Sequence, residues 1–133
     1  MHTSLKSVLA VFIGGLVGSA ARIGITLVAG QIDDHWWPYP TLFINLVGSF
    51  ALGYLVARGM PSLPAWIRLG VTTGFLGAFT TLSAISLDVV VPIIRHGVGP
   101  LIVMGSYAVG SIIVGLVCAI AGLRLGARGS VAT

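Results

Sequence analysis

Long apolar runs separated by short polar segments organise this sequence. The runs cover about residues 5–28, 40–57, 65–94 and 98–125, and charges, prolines or interfacial aromatic residues interrupt them. A helix needs about 20 apolar residues to cross the hydrocarbon core of a bilayer, so each run is long enough to be a transmembrane helix. The pattern therefore predicts an all-α integral membrane protein, with a single four-helix transmembrane domain over residues 1–133.

The composition supports a membrane protein and excludes several function classes. Apolar residues make up 56% of the chain and charged residues only 8%, whereas a soluble domain has about 25% charged residues. No basic cluster is present that would bind nucleic acid, and the single Cys118 allows no disulfide within the chain. His2, His35 and His96 fall in predicted loops or termini and are not spaced like metal ligands, so we do not expect an enzyme.

The basic residues favour an N-terminus in the cytoplasm, because the cytoplasmic ends of transmembrane helices collect Lys and Arg. In that orientation the cytoplasmic side holds most of the basic residues, although the bias is modest. The cytoplasmic set is Lys6, Arg58, Arg68, Arg124 and Arg128, and the opposite set is Arg95 and Arg22.

Polar side chains inside the predicted spans are costly in lipid and therefore mark candidate functional positions. They share the ability to donate hydrogen bonds, and no carboxylate lies among them near the membrane centre. A track of donors with an arginine at one end suits a small anion. The alternative is that each hydroxyl bonds to its own helix backbone and that Arg22 extends to the interface. The candidates are Arg22 in the first span, Asn45 and Ser49 in the second, Thr81 and Ser83 in the third, and Tyr107 and Ser111 in the fourth.

The third run contains a stretch, GFLGAFTTLSAIS at 74–86, that favours a break in the helix. Its glycines weaken the helix, and its hydroxyls compete for backbone hydrogen bonds. A break in mid-span exposes carbonyl oxygens, which have to face protein, water or an ion rather than lipid. Inward-facing carbonyls would bind a cation, and a kinked helix without an ion is the alternative.

Each of the four apolar runs contains a short motif of glycine and polar residues, and the four motifs together form a recognisable combination. They are GGLVGSAAR at 14–22, TLFINLVGSFALG at 41–53, GFLGAFTTLSAIS at 74–86 followed by Asp88, and SYAVGS at 106–111. In this combination the sequence resembles the small bacterial fluoride channels of the Fluc (CrcB) family.

The resemblance implies an antiparallel, dual-topology dimer of four-helix subunits, with two pores at the interface and the third helix broken in mid-membrane. Backbone carbonyls matching Gly77 and Thr80 from both subunits would hold a structural Na⁺ at the dimer interface. The implied function is a fluoride-selective channel of the bacterial inner membrane, whose passive export of cytoplasmic fluoride gives fluoride resistance. The implied ion pathway comprises Arg22 near the vestibule together with Asn45, Ser49, Thr81, Leu82, Ser83, Ile85, Tyr107 and Ser111.

This sequence departs from the family pattern where the third-span signature carries two phenylalanines. Leu82 and Ile85 stand at those positions and lack the partially positive ring edge that contacts an anion, and Gly115 offers no donor further along the fourth span. Either a paralogous partner supplies the rings, or a homodimer conducts without them, with Phe75 or Phe79 nearby. We favour the paralogue, because a self-pairing inverted dimer needs almost no bias of Lys and Arg between its two ends, and this chain has a modest one.

Two other functions stay open at this point. A non-conducting or half-conducting structural subunit of a heterodimeric fluoride channel would explain the absent rings, but not readily the retained polar residues of the pathway. A small-multidrug-type transporter also has four helices and an inverted dimer. Such a transporter relies on a carboxylate in the first helix, which this chain lacks.

Overall fold

The computed structural model describes residues 4–32 and 37–130, and all regular secondary structure in these ranges is helical. His2, His35, Asp33 and Asp34 lie outside the described residues. The α-helices are α1 (Leu5–Ile32), α2 (Tyr39–Arg58), α3 (Ala65–Leu69), α4 (Gly77–Phe79), α5 (Leu82–His96) and α6 (Leu101–Ser130), and a π-helical segment (Gly70–Leu76) joins α3 to α4.

Four stretches of the described chain are long and apolar enough to cross a membrane. They are Leu5–Ala29, Tyr39–Arg58, Ala65–His96 and Leu101–Arg128. The third span is a composite, because α3, the π segment, α4 and α5 follow one another along it. These spans confirm the predicted all-α membrane fold with four helices.

Glycine and proline set two of the helix ends. α2 ends where Gly59 takes the left-handed conformation (φ 69°, ψ −16°) and its N–H donates to carbonyls of the last turn. α6 begins at Leu101 rather than near residue 98, because Gly97 (φ 73°) and Pro100 interrupt the helical pattern before it.

Two close contacts hold the spans together: α1 packs against the π segment, and α2 packs against α6. At the first contact, a Cβ atom on Gly14 or Gly18 would collide with the carbonyl oxygen of Gly70 or Phe75. At the second contact, Gly122 of α6 lies equally close to the backbone of α2. Small residues let spans approach in this way, which matters because lipid provides no hydrophobic drive for helix association.

The third span is broken at Thr80 and Thr81. Both residues are extended, with φ −80° and ψ 149° at Thr80 and φ −153° and ψ 129° at Thr81. The helix resumes at Leu82, and the Thr81 hydroxyl caps it by accepting a hydrogen bond from the N–H of Ala84 at 3.3 Å. The break predicted from the stretch at 74–86 is therefore confirmed.

The outer surface of the molecule is apolar and the buried core is small. Ile102 and Ile94 are 84% and 77% exposed, whereas the largest fully buried side chains of the described residues are Ile44 and Met104. This distribution fits helices that face lipid over most of their surface, with polar groups turned toward the break.

Candidate functional site

An open groove runs along the break in the third span. Its volume is about 460 Å³, and it lies between α2, the third span and α6. Polar side chains of α2 and α6 face the backbone of the break, and aliphatic side chains of α5 and α6 complete the wall. The lining residues are Asn45, Ser49, Gly77, Thr80, Thr81, Leu82, Ile85, Ser111, Ile112, Gly115, Leu116 and Ala119.

The groove collects most of the residues that the sequence predicts for an ion pathway or a cation site. In the part of the chain that the structure describes, no carboxylate is among its lining residues. Arg22, Ser83 and Tyr107 lie elsewhere. The predicted residues in the groove are Asn45, Ser49, Thr81, Leu82, Ile85 and Ser111, together with Gly77 and Thr80.

Asn45 holds the extended backbone that follows the break. Its Nδ2 donates to the carbonyl oxygen of Thr81 at 2.9 Å, and its Oδ1 accepts the Thr81 N–H at 2.7 Å. Asn45 is buried, with 8% of its surface exposed. A buried amide needs hydrogen-bond partners, and here one extended residue satisfies both ends of the amide.

Arg22 and Thr80 bind carbonyls on the other side of the break. Arg22 Nε donates to the carbonyl oxygen of Ala78 at 3.3 Å, which places its guanidinium against the end of α4. The Thr80 hydroxyl donates to the carbonyl oxygen of Leu76 at 2.9 Å, and the Thr80 N–H donates to the same oxygen at 3.0 Å. The end of this helical stretch is thus hydrogen-bonded by a residue of α1 and by a residue of the third span itself.

A second cavity of about 130 Å³ adjoins the groove at Thr81 and contains Arg22. A guanidinium, a carboxylate and several hydroxyls therefore share one small space between α1, α2 and α5. Its lining residues are Arg22, Thr26, Thr41, Ile44, Thr81, Ala84, Leu87 and Asp88.

Tyr107 and Ser83 are placed beside these cavities. Tyr107 is 4% exposed, and its hydroxyl donates to Asp88 Oδ2 at 3.2 Å. Its ring and that of Trp37 form a T-shaped pair, with a centroid distance of 5.5 Å and an interplanar angle of 73°. Ser83 is exposed, with its hydroxyl 2.9 Å from that of Thr81.

A third cavity of about 270 Å³ extends from Asp88 to the end of α5. It shares Leu87 and Asp88 with the second cavity, and Arg95 and His96 lie at its outer end. Since Thr81 joins the second cavity to the groove, shared lining residues connect the end of α5 to the break.

The phenylalanines that precede the break do not face the groove. Phe75 and Phe79 stack on each other with a centroid distance of 5.6 Å and an interplanar angle of 10°, and Phe79 is buried. The groove is lined instead by Leu82, which is 66% exposed, and Ile85, which is 6% exposed. The wall at this point is therefore aliphatic.

The backbone at Gly77 and Thr80 fits a cation bound by carbonyl oxygens. Both residues line the groove, and the N–H of Thr81, which would close a helical turn onto the Gly77 carbonyl, donates to Asn45 instead. Among the described residues, no group of three His, Cys, Asp or Glu side chains could hold a metal ion. The oxygen ligands that this groove provides are therefore uncharged carbonyl, amide and hydroxyl oxygens.

Sequence reasoning missed several residues of these cavities. Thr41 lies one helical turn before Asn45, and Thr26 lies one turn after Arg22, so the helical period carried a signal for both. The apolar groove residues of α6 had no such signal, because they look the same as lipid-facing residues.

The fold and the site define a class of protein: short polytopic membrane proteins with a broken third span and a polar groove at the break. The sequence model of the family described as "CrcB-like protein, Camphor Resistance (CrcB)" matches residues 9–123. The chain therefore belongs to the CrcB family.

Named relatives are similar to this chain over most of their length. Fluoride-specific ion channel FluC 2 of Moorella thermoacetica is 40% identical over 106 residues, which cover 80% of this chain and 84% of the relative. Fluoride-specific ion channel FluC of Paracoccus denitrificans is 38% identical over 129 residues, 94% of each chain. Fluoride-specific ion channel FluC 1 of Mycolicibacterium paratuberculosis is 34% identical over 113 residues, 84% of this chain and 83% of the relative.

Proposed function

We propose that this chain is a subunit of a fluoride-specific ion channel that lets cytoplasmic fluoride leave the cell passively. Its membership of the CrcB family and the names of its relatives support this function. The observation that carries it is the groove at the break, where amide and hydroxyl donors converge and the lining residues of the described chain include no carboxylate. Donors without an acid favour an anion over a cation or a proton.

The pathway that we propose enters through the cavities beside α5 and continues along the groove. Arg22 attracts the anion in the second cavity, and Ser49 and the second N–H of the Asn45 amide offer donors in the groove. Ser111 lines the groove beside them, with its own hydroxyl donating to the carbonyl of Tyr107. The Tyr107 hydroxyl already donates to Asp88, so its part in the pathway is to hold that carboxyl group.

A second subunit is needed to close the groove. The groove is open and lies at the middle of the third span, where polar backbone groups cannot face lipid. An antiparallel dimer would bring two breaks together, so that the carbonyls of Gly77 and Thr80 from both subunits surround a structural Na⁺. Neutral oxygens without a carboxylate suit a monovalent cation, since a divalent ion is normally bound with acidic ligands.

We favour a paralogous partner over a second copy of this chain, and the aliphatic wall at Leu82 and Ile85 adds a structural reason to the charge bias. Phe75 and Phe79 are packed against each other away from the groove, so they do not replace the missing ring edges. A paralogue that carries rings at these positions would complete a pore. The numbered relatives, FluC 1 and FluC 2, fit organisms with more than one such chain.

The aliphatic wall at Leu82 and Ile85 also favours a second candidate function, a structural subunit that conducts through one pore or none. In that case the partner alone supplies the conducting surface. This chain would then contribute the break and its cation site.

The chain is a multi-pass membrane protein, and we place it in the bacterial inner membrane. Labelling of cysteines introduced at the termini of Cys118→Ser protein in intact cells distinguishes the two partners. N-termini on both sides of the membrane indicate a self-inverted dimer, whereas cytoplasmic N-termini on every copy exclude it.

Fluoride efflux from liposomes that contain only this chain tests the proposal, with a fluoride electrode as the readout. Rapid efflux without chloride leak shows that the chain conducts with itself. No efflux from well-folded protein, followed by efflux when a paralogue with both rings is added, shows an obligate partner. No efflux in either preparation contradicts channel function for this chain.

A matched pair of variants on α6 shows whether the groove is the route. Gly115→Leu places a side chain into the groove beside Ser49, whereas Gly110→Leu meets open space. Both changes have the same chemistry and lie near each other on one helix. Loss of efflux in the Gly115 variant alone supports the groove, and equal efflux in both contradicts it.

A further inference from the structure

We propose that Asn45 and Arg22 are positioning residues that keep the third span broken, so that the carbonyl oxygen of Gly77 stays free for a cation. The inference deepens the proposed function, because it concerns the cation site of the same groove. It gives both residues a role on the backbone of the break in addition to their place along the ion pathway.

The hydrogen-bond pattern along the third span shows where the helix stops. In an α-helix each carbonyl accepts the N–H four residues later. The carbonyl of Leu76 still does so, because the N–H of Thr80 donates to it at 3.0 Å. The next carbonyl, that of Gly77, would require the N–H of Thr81.

Asn45 takes that N–H away from Gly77. The Thr81 N–H donates to Asn45 Oδ1 at 2.7 Å, and Asn45 Nδ2 donates to the Thr81 carbonyl at 2.9 Å. The two hydrogen bonds fix both backbone groups of one extended residue. The helix therefore cannot close its next turn, and the oxygen of Gly77 keeps its lone pairs in the groove.

Arg22 has the complementary effect one residue later. A continuing helix would pair the carbonyl of Ala78 with the N–H of Leu82, but this carbonyl accepts from Arg22 Nε at 3.3 Å. Leu82 is instead the first residue of α5. Asn45 thus removes the N–H that the Gly77 carbonyl would need, and Arg22 satisfies the carbonyl of Ala78. The carbonyl of Gly77 lies between the bonded carbonyls of Leu76 and Ala78 and keeps no helical partner.

Removal of either side chain favours repair of the helix. Without Asn45, the part-buried Thr81 N–H would be unpaired in the middle of a span, which is costly. The acceptor that an α-helix provides for it is the Gly77 carbonyl. Repair of the turn takes the Gly77 oxygen away from the cation. A pathway role alone predicts a loss of ion flux with no change in cation binding.

The test is the Na⁺ dependence of thermal stability of the purified dimer, with N-methyl-D-glucamine as the replacement cation. The dimer is that of the chain with itself or, where the liposome assay shows an obligate partner, that of the chain with the paralogue. Wild-type protein is expected to melt at a higher temperature as Na⁺ rises. Asn45→Leu keeps the branched shape of the side chain and removes both hydrogen bonds. It should raise the half-saturating Na⁺ concentration about tenfold or more, because two backbone hydrogen bonds are lost.

Two further variants make the result decisive. Arg22→Gln should also raise the half-saturating Na⁺ concentration, and it carries the test if Asn45→Leu does not yield monodisperse protein. Ser49→Ala removes a groove hydroxyl one turn along α2 from Asn45, and it should lower fluoride flux while it leaves the Na⁺ midpoint unchanged.

The outcomes separate this inference from the proposed function. An unchanged Na⁺ midpoint in Asn45→Leu and Arg22→Gln overturns the positioning role, as does wild-type protein that Na⁺ does not stabilise. A Na⁺ midpoint that shifts as expected in a protein without fluoride flux supports the positioning role and contradicts conduction by this chain.

Discussion

The contact between α2 and α6 gives a quantitative test of how these spans pack. An added Cβ atom at Gly122 would collide with the carbonyl oxygen of Phe50 and lie 2.8 Å from the backbone nitrogen of Tyr54. Both are main-chain atoms of α2, which cannot rotate away as a side chain can. Gly122→Ala therefore forces the two helices apart.

The expected cost follows from two opposing effects. Overpacking by one methyl group costs about 1–3 kcal/mol, whereas replacing Gly by Ala inside a helix gains about 1 kcal/mol. The net effect of Gly122→Ala is a loss of about 0–2 kcal/mol. At Gly110 of the same helix an added Cβ meets nothing within 4 Å, so Gly110→Ala should show only the gain. The two variants should differ by about 1–3 kcal/mol.

Thermal unfolding of both variants in the same detergent measures this difference. At about 4 °C per kcal/mol for a chain of this size, Gly122→Ala should melt about 4–12 °C below Gly110→Ala. Gly53→Ala approaches α6 from the other side, at the carbonyl of Ala119, and should behave like Gly122→Ala. Equal melting temperatures for the Gly110 and Gly122 variants would refute the close contact of α2 with α6.

Three further predictions concern the groove and its approach. Combining Leu82→Phe with Ile85→Phe should raise fluoride efflux of the chain alone at least about tenfold if ring edges are the missing element; electrode-measured efflux that stays at the parent level contradicts that explanation. Tyr107→Phe removes the hydrogen bond to Asp88 and should lower the unfolding free energy by about 1–3 kcal/mol, measured by denaturation in mixed micelles, whereas unchanged stability means that the bond contributes nothing. Arg95→Gln should slow fluoride efflux about twofold to fivefold at low ionic strength and less at high salt, because Arg95 lies at the outer end of the third cavity and salt screens exposed charges. A loss of efflux that does not depend on salt excludes electrostatic steering of fluoride by Arg95.

The parts of the fold that follow from local pattern were predictable from the sequence. Each span is a continuous apolar run, and the break lies within the stretch of glycines and hydroxyls at 74–86. The π-helical segment was not foreseen, because no residue pattern distinguishes hydrogen bonding to the fifth residue from ordinary helical bonding. Which glycines meet a neighbour was equally hidden, since Gly122 and Gly110 both stand in apolar sequence and only one touches another helix.

The site was predictable in its members and not in their contacts. The sequence marks Asn45 as a candidate because a polar side chain is costly in lipid, but its partner, the backbone of Thr81 on another span, is visible only in the structure. Tyr107 and Ser111 are four residues apart, so the helical period places them on one face of α6. In the structure the long Tyr107 side chain reaches Asp88, while the Ser111 hydroxyl donates to the carbonyl of Tyr107 at 2.7 Å. Side-chain length and contacts between distant helices decide such details, and neither is visible in the helical period.

The close glycine contacts and the hydrogen bonds at the break lie one helical turn apart on the same helices. On α1, Gly18 lies against the backbone of Phe75, and Arg22 follows one turn later on the same face, where it reaches the Ala78 carbonyl.

On α2, Gly48 lies so close to Thr80 that an added Cβ would collide with its methyl group. Asn45 precedes Gly48 by one turn and reaches Thr81. In each case a glycine brings the helix close and the polar residue one turn away binds the break. A larger residue at Gly18 or Gly48 would therefore push its helix away from the break. Arg22 or Asn45 would then lose its hydrogen bond to the backbone of the break, and the cation site would be weakened.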